Sequence, residues 1–265
     1  MDIPPEVVDR FESLFRVGAA DLPLDEGAAI IAAVGHPDLE VDDLVGRLDE
    51  LAASVPGPRI DVDRLCAWLF TELGFTGDLD DYHDPRNSYL DQVLDRRRGI
   101  PITLSLVLAE VGWRLGVRLE LVAMPGHVLV KEQGSDDFID AFAGGARLDT
   151  VEAQTIFGSM HGATAQFDPN FLLPTPRPAI LIRMLNNLKA SCKQRSDRRG
   201  LINVLRLRTV IPLLADDEHR ELATALNQSG RISEAAAVLE QLADLNGPRS
   251  VADKAAAQRL RAKLN

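Results

Sequence analysis

The sequence predicts a mainly helical α+β protein with one small antiparallel sheet. Three observations predict it. Apolar residues recur at helical spacing over most of the chain. One segment, from Pro101 to Leu115, is apolar on almost every side, as a helix at the centre of a core is. Directly behind it come short runs in which apolar and polar residues alternate, the period of half-buried strands. A buried helix followed by such strands implies a sheet packed against that helix.

The elements follow in order. In "PPEVVDRFESLFRV", Val7, Val8, Phe11, Leu14 and Phe15 fall at helical spacing. "LPLDEGAAIIAAVG" reads as a second helix that stops at Gly35, and "EVDDLVGRLDELAASV" as a third with Val41, Leu44, Leu48 and Leu51 on one face. Pro56 to Pro58 break the chain, and "DVDRLCAWLFTELGF" forms the next amphipathic helix with Asp61 as its cap. The polar run "TGDLDDYHDPRNSYLDQVLDRRRG" is loop, ending in a short helix around Leu90 to Leu94.

Pro101 then opens the central helix. Proline suits the first turn because an N–H there has no helical partner to lose. Glu110 and Arg114 are an i,i+4 pair on this helix, and Gly116 ends it. "VRLELVA", "HVLVK" and "DFIDAF" read as three strands. "DPNFLLPTPRP" (168–178) is the best linker in the chain. Beyond it "AILIRMLNNLKASCKQR", "LINVLRLRTVIPLL", "DDEHRELATALNQSG" and "RISEAAAVLEQLADLN" are helical. The last two are of similar size, meet at Gly230 and carry small residues Ala223, Ala235 and Ala236 for close packing, as in a tetratricopeptide-like repeat. The expected division is a helical segment at 1–60, a core at 61–167, a linker at 168–178 and a helical domain at 179–265.

Charge narrows the partners. A net charge of −11 argues against nonspecific nucleic-acid binding and against anionic membranes. The N-terminus has no basic start and no apolar h-region, and Glu110 and Arg114 interrupt the most apolar stretch, so a cytoplasmic location is expected. Cys66 and Cys192 are expected to stay reduced. His36, His83, His127, His161 and His219 are scattered singly, without zinc-ligand spacing, and no phosphate- or dinucleotide-binding loop is present. Neither a metal nor a cofactor is expected.

The stretch from "FTGDLDDYHDPRNSYL" through "RRRGIPITLSLVLAEVGWRLGV" to "MPGHVLVK" and "FIDAFAGG" resembles a family of bacterial proteins. These invasion-regulator-like proteins join a transglutaminase-like (papain-type) core to a C-terminal tetratricopeptide-like region. The resemblance is good from about Leu65 to Gly145 and extends to "ILIRMLNNLKASC" and "LATALNQSGRISEAAAVLEQL". It implies a Cys-His-Asp triad whose cysteine opens the central helix in a G-x-C-x-x-x-A pattern. A helix start carries partial positive charge and lowers a thiol's pKa, the histidine takes the proton, and the acid orients the histidine. Here Gly99-Ile100-Pro101 falls on G-x-C, Ser105 on the small residue, His127 on the triad histidine and Asp140 on the triad acid. Proline has no nucleophilic atom, so the resemblance implies a triad that keeps two members and lacks the reactive one.

The expected function is therefore binding of a protein or peptide partner by a non-catalytic core, with His127 and Asp140 as vestigial positions. Asn87, Tyr82, Pro101 and Thr103 are the candidate binding residues around the old cleft. The alternative is a residual hydrolase or transferase in which His127 and Asp140 activate water or a hydroxyl of Thr103 or Ser105. In the structural reading, His127 and Asp140 pin two strands together and the "DYHDPRNSYL" loop is braced by its own Asp84 and Asn87.

Overall fold

In the computed structural model, residues 1–264 are described apart from 59, 163, 213 and 215. The chain starts with helices α1 (Pro5–Leu14), α2 (Leu24–Ala32) and α3 (Val41–Ala53). α2 is buried almost throughout, whereas α3 buries Val41, Leu44, Leu48 and Ala52 on one face. Helix α4 (Val62–Cys66) is capped by Asp61, whose carboxylate accepts the Arg64 amide at 2.9 Å. It runs on as a π-helical turn over Ala67–Glu72, where the sequence reads as one continuous α-helix. β1 (Thr76–Gly77), α5 (Leu90–Arg96) and β2 (Arg98–Gly99) follow, with β1 and β2 paired in parallel.

The central helix is α6 (Pro101–Arg114). Every residue from Pro101 to Gly112 is buried, including Thr103, Ser105 and Glu110. After it come β3 (Leu119–Val122), β4 (Leu129–Glu132), β5 (Phe138–Asp140) and β6 (Ala146–Leu148). They form one antiparallel sheet in sequence order, β3-β4-β5-β6, joined by short turns. The α6 helix neighbours both β3 and β4, so the expected sheet-on-helix layer is present.

The sequence reading passed over β6 and the helix behind it, α7 (Thr150–His161). The signal for α7 was a capping box: Asp149 accepts the Glu152 amide at 2.8 Å, and Glu152 accepts the Asp149 amide at 2.9 Å. Leu172, from the proline-rich segment, joins Phe157 and Val122 in a small core under the sheet.

The remaining helices are α8 (Arg177–Gln194), α9 (Arg198–Thr209), α10 (Asp216–Gln228), α11 (Ile232–Asn246) and α12 (Val251–Ala262). The stretch read as one helix to Leu214 stops at Thr209, and its residue 213 lies outside the described residues. Successive helices from α9 to α12 are neighbours, and their core is built from Leu222, Leu226, Ala235, Ala236 and Leu260.

Contacts divide the chain into two units, Gly18–Met184 and Met1–Val17 with Leu185–Asn265. The division therefore falls within α8, beyond the proline-rich segment. That segment is held in the first of these units, where the Thr175 amide donates to Leu121 O at 2.8 Å. The N-terminal residues belong with the C-terminal helices: the Ile3 amide donates to Asn203 Oδ1 at 3.1 Å, and Asp2 pairs with Arg206 and Arg231. Among the described residues, no helix is long and apolar enough to cross a membrane.

Candidate functional site

The start of α6 is positioned by its own side chains. Ile100 is the cap residue in extended conformation, and Pro101 takes the first helical position. Thr103 Oγ1 accepts the Ile100 amide at 3.1 Å and donates to Asn87 O at 2.8 Å. Gly99 permits this closeness, since a Cβ there would lie 2.7 Å from Thr103 Oγ1. Ser105 is fully buried, with its hydroxyl 3.4 Å from Val128 O. Both hydroxyls nearest to Pro101 thus face backbone carbonyls.

His127 follows the turn between β3 and β4, and Asp140 ends β5. Their side chains meet, with Nε2 of His127 at 2.9 Å from Oδ2 of Asp140, and each residue is only 5% exposed. The second carboxylate oxygen accepts the amides of Phe142 at 2.9 Å and Ala143 at 3.2 Å. The Phe142 ring stands edge-on to His127 and edge-on to Tyr82. The other imidazole nitrogen, Nδ1, is enclosed and has no hydrogen-bond partner.

One residue of this region has no signal in the sequence. Arg183, on α8, donates to Met124 O at 2.6 Å and to His127 O at 3.0 Å, which fixes the turn that carries the imidazole. In "ILIRMLNNL" Arg183 reads only as a polar position on the same helical face as Asn186 and Asn187.

The candidate binding residues are distributed unevenly. Asn87 is completely buried: its amide nitrogen donates to Asp81 O at 2.9 Å, and its oxygen accepts from Arg96 at 3.1 Å. Thr103 and Pro101 are also buried. Tyr82 is 39% exposed, and burial of part of its ring pushes its hydroxyl pKa upward despite Arg183. Asp84 caps the turn after it and pairs with Arg86. The arginine run at 96–98 lies beside the acidic loop, with Arg97 and Arg98 exposed and each of the three held by a hydrogen bond or ion pair. Arg96 and Arg98 pair with the buried Asp78, and Arg97 donates to Leu73 O at 2.7 Å.

Neither cysteine lies in an environment that makes a thiolate. Burial pushes Cys66 up to about 12, with Asp63 adding to the effect, and burial does the same to Cys192. Among the described residues no group of three His, Cys, Asp or Glu side chains is placed to hold a metal ion.

Residues 38–186 match the model of the transglutaminase-like superfamily. A protein of Xylella fastidiosa (strain Temecula1) called "UPF0162 protein" is 37% identical over 194 residues, covering 67% of this chain and 68% of its own. A Vibrio cholerae protein of the same name is 29% identical over 181 residues, 64% of this chain and 66% of its own. The F-box only protein 21 of Mus musculus is 39% identical over 100 residues, 34% of this chain and 16% of its own length. No solved structure matches.

Proposed function

Because the chain belongs to the transglutaminase-like superfamily, we propose that it is a non-catalytic form of that core whose role is to bind a protein or peptide partner. The observation that carries the reading is the state of the dyad. His127 Nε2 is committed to Asp140, while Nδ1 is shut in without a partner. In this proposal Pro101 occupies the nucleophile position at the helix start, so the nitrogen that a cysteine would face has nothing to deprotonate. A triad mechanism needs nucleophile, base and orienting acid in one line. The hydroxyls of Thr103 and Ser105 do not replace the thiol, because both are buried against backbone carbonyls.

The C-terminal helices supply a second element of the reading. α10 and α11 turn at Gly230, whose φ of 77° suits glycine, and Ala223, Ala235 and Ala236 are buried. This arrangement supports a tetratricopeptide-like unit, a form that offers surfaces to extended segments. The matched segment is also a small part of a much longer mouse protein, as a portable module is. A cytoplasmic setting, with no nucleic-acid or membrane partner and no cofactor, completes the proposal.

One observation favours the second reading, a residual hydrolase or transferase: the 2.9 Å geometry of His127 and Asp140 is good enough to orient a base. The two are separated by assaying the full chain for amine incorporation into glutamine substrates and for peptide hydrolysis, beside affinity capture from native cytosol. Rates at the buffer blank, with a saturable partner that survives His127→Ala, are the expected result. Turnover abolished by His127→Ala overturns the non-catalytic reading. Absence of any saturable partner overturns the binding half.

A further inference from the structure

The far end of α6, away from Pro101, borders a second feature of the same unit. A cleft of about 510 Å³ lies between α6, the outer strand β3 and the segment that leads into α8. Ala109 and Trp113 line it from the helix, Leu119 from the strand, and Pro174, Thr175 and Arg177 from the segment.

Trp113 is 50% exposed, on a helix whose residues from Pro101 to Gly112 are all buried. The Arg118 guanidinium stacks on its ring, 3.8 Å from the centroid, and Arg177 approaches the same ring at 5.6 Å. Among the described residues, the Arg118 guanidinium has no carboxylate partner. Arg114 of the same unit, by contrast, is shared by Asp25, Asp49 and Glu110. A guanidinium laid flat on an indole keeps the donors along its edge free and fixed in direction, the arrangement that receives a carboxylate. Glu110, at the inner wall, is already engaged by Arg114 at 2.9 Å, so the cationic side of the cleft is the Arg118–Arg177 side.

The strand adds a second, independent feature. β3 is the outermost strand of the sheet. The Gln133 amide donates to Arg118 O at 2.9 Å, so the main chain of Arg118 faces β4. Antiparallel alternation then turns the main-chain groups of Leu119 and Leu121 to the free edge. Leu121 O is taken there by the Thr175 amide, and the Ala123 amide donates to Thr175 Oγ1, both at 2.8 Å. The chain's own extended segment thus already pairs with half of this edge. It stops short of Leu119, where the cleft opens.

We propose that this cleft docks an extended acidic peptide, which adds to β3 at Leu119 and places a carboxylate on Arg118 over Trp113. The proposal rests on the peptide-binding reading above and names its site and ligand class. Main-chain pairing would supply affinity, and the stacked arginine would select the acidic residue. The occupant must be extended, because a strand edge offers a row of main-chain groups. Its acidic residue answers the Arg118 guanidinium, with Arg177 beside the same ring, and must avoid the like charge of Glu120, which also lines the cleft.

The test pans a displayed library of random heptapeptides against the full chain and synthesises the most enriched sequence. Binding is read by tryptophan emission, which reports Trp113 because Trp68 is only 4% exposed. Enriched sequences should carry Asp or Glu within an alternating apolar pattern. Arg118→Glu should weaken binding by about tenfold or more, and replacing the acidic residue of the peptide by alanine should do the same. Arg118 is exposed, so the variant should keep the wild-type melting curve, and Arg118→Gln serves if it does not. No enrichment, or binding indifferent to both changes, overturns the site. A native partner still captured by Arg118→Glu overturns the site and leaves the binding function standing.

Discussion

Nε2 of His127 and Oδ2 of Asp140 stand 2.9 Å apart in a closed pair, and the same carboxylate also holds the amides of Phe142 and Ala143 through its other oxygen. The acid therefore braces the turn after β5 as well as the imidazole. Its removal leaves a buried ring nitrogen and two part-buried amides short of an acceptor. Asp140→Ala should cost about 1–3 kcal/mol per group left unsatisfied and enclosed, so the urea midpoint should fall clearly. A change below about 0.5 kcal/mol, the size typical of an inconsequential surface substitution, would mean that the pair does not hold the fold.

Leu108 lies midway along α6 and is fully buried. Leu108→Ala should lower stability by about 2–5 kcal/mol through lost transfer energy and the cavity left behind. A denaturant titration measures it, and a loss well under 1 kcal/mol would place this face of the helix against solvent.

Glu110 should make stability depend on pH. One guanidinium, that of Arg114, serves three carboxylates, and Glu110 is the most buried of them. Burial, with Asp25 adding repulsion, pushes its carboxyl from 4.5 up to about 7 although Arg114 and Arg177 pull the other way. Between those two values the folded chain keeps a proton that the unfolded chain releases. The folded state then binds more protons, so this group's contribution falls as pH rises from about 4.5 to about 7 and is level above that. The loss is on the order of 3 kcal/mol. Urea midpoints at pH 5 and pH 8 should differ less in Glu110→Gln than in the wild type. Equal differences would show that Glu110 stays ionised throughout.

The same contrast between local and distant information explains what the sequence made legible. The central helix and the three strands after it were readable because periodicity is a local property: "PITLSLVLAEVGWR" buries its residues wherever it packs. The dyad was readable through motif order in the resemblance. Arg183 was not, since its bonds to the His127 turn join residues 56 and 59 apart. Nor was the placement of the N-terminus, where Asp2 meets Arg231 across 229 residues. The proline-rich segment reads as a linker by composition, yet its Thr175 pairs with a strand edge, a pairing that proline content alone does not reveal.

The cysteines should be unreactive. Both are held up at about 12, so almost no thiolate exists at neutral pH. Iodoacetamide at pH 7 should label neither in the folded chain and both after addition of guanidinium chloride. Rapid labelling of one of them in the folded chain would mark it as a thiol activated by its surroundings.

Pro101→Cys tests the triad alignment itself. Position 101 is the first residue of α6, with partial positive charge from the free amides of the first turn. If it is the nucleophile position, a thiol there gains from the helix and from the unpartnered Nδ1 of His127. It should titrate well below the ordinary cysteine value of about 8.5. The measurement is thiolate absorbance at 240 nm against pH, and Cys66 and Cys192 are silent below pH 9 because burial holds both at about 12. In Pro101→Cys combined with His127→Ala the pKa should rise, since the histidine that takes the thiol's proton is gone while the helix remains. A thiol that titrates near 8.5 or higher, and ignores His127→Ala, would show that Pro101 only starts a helix and that the lost nucleophile stood elsewhere.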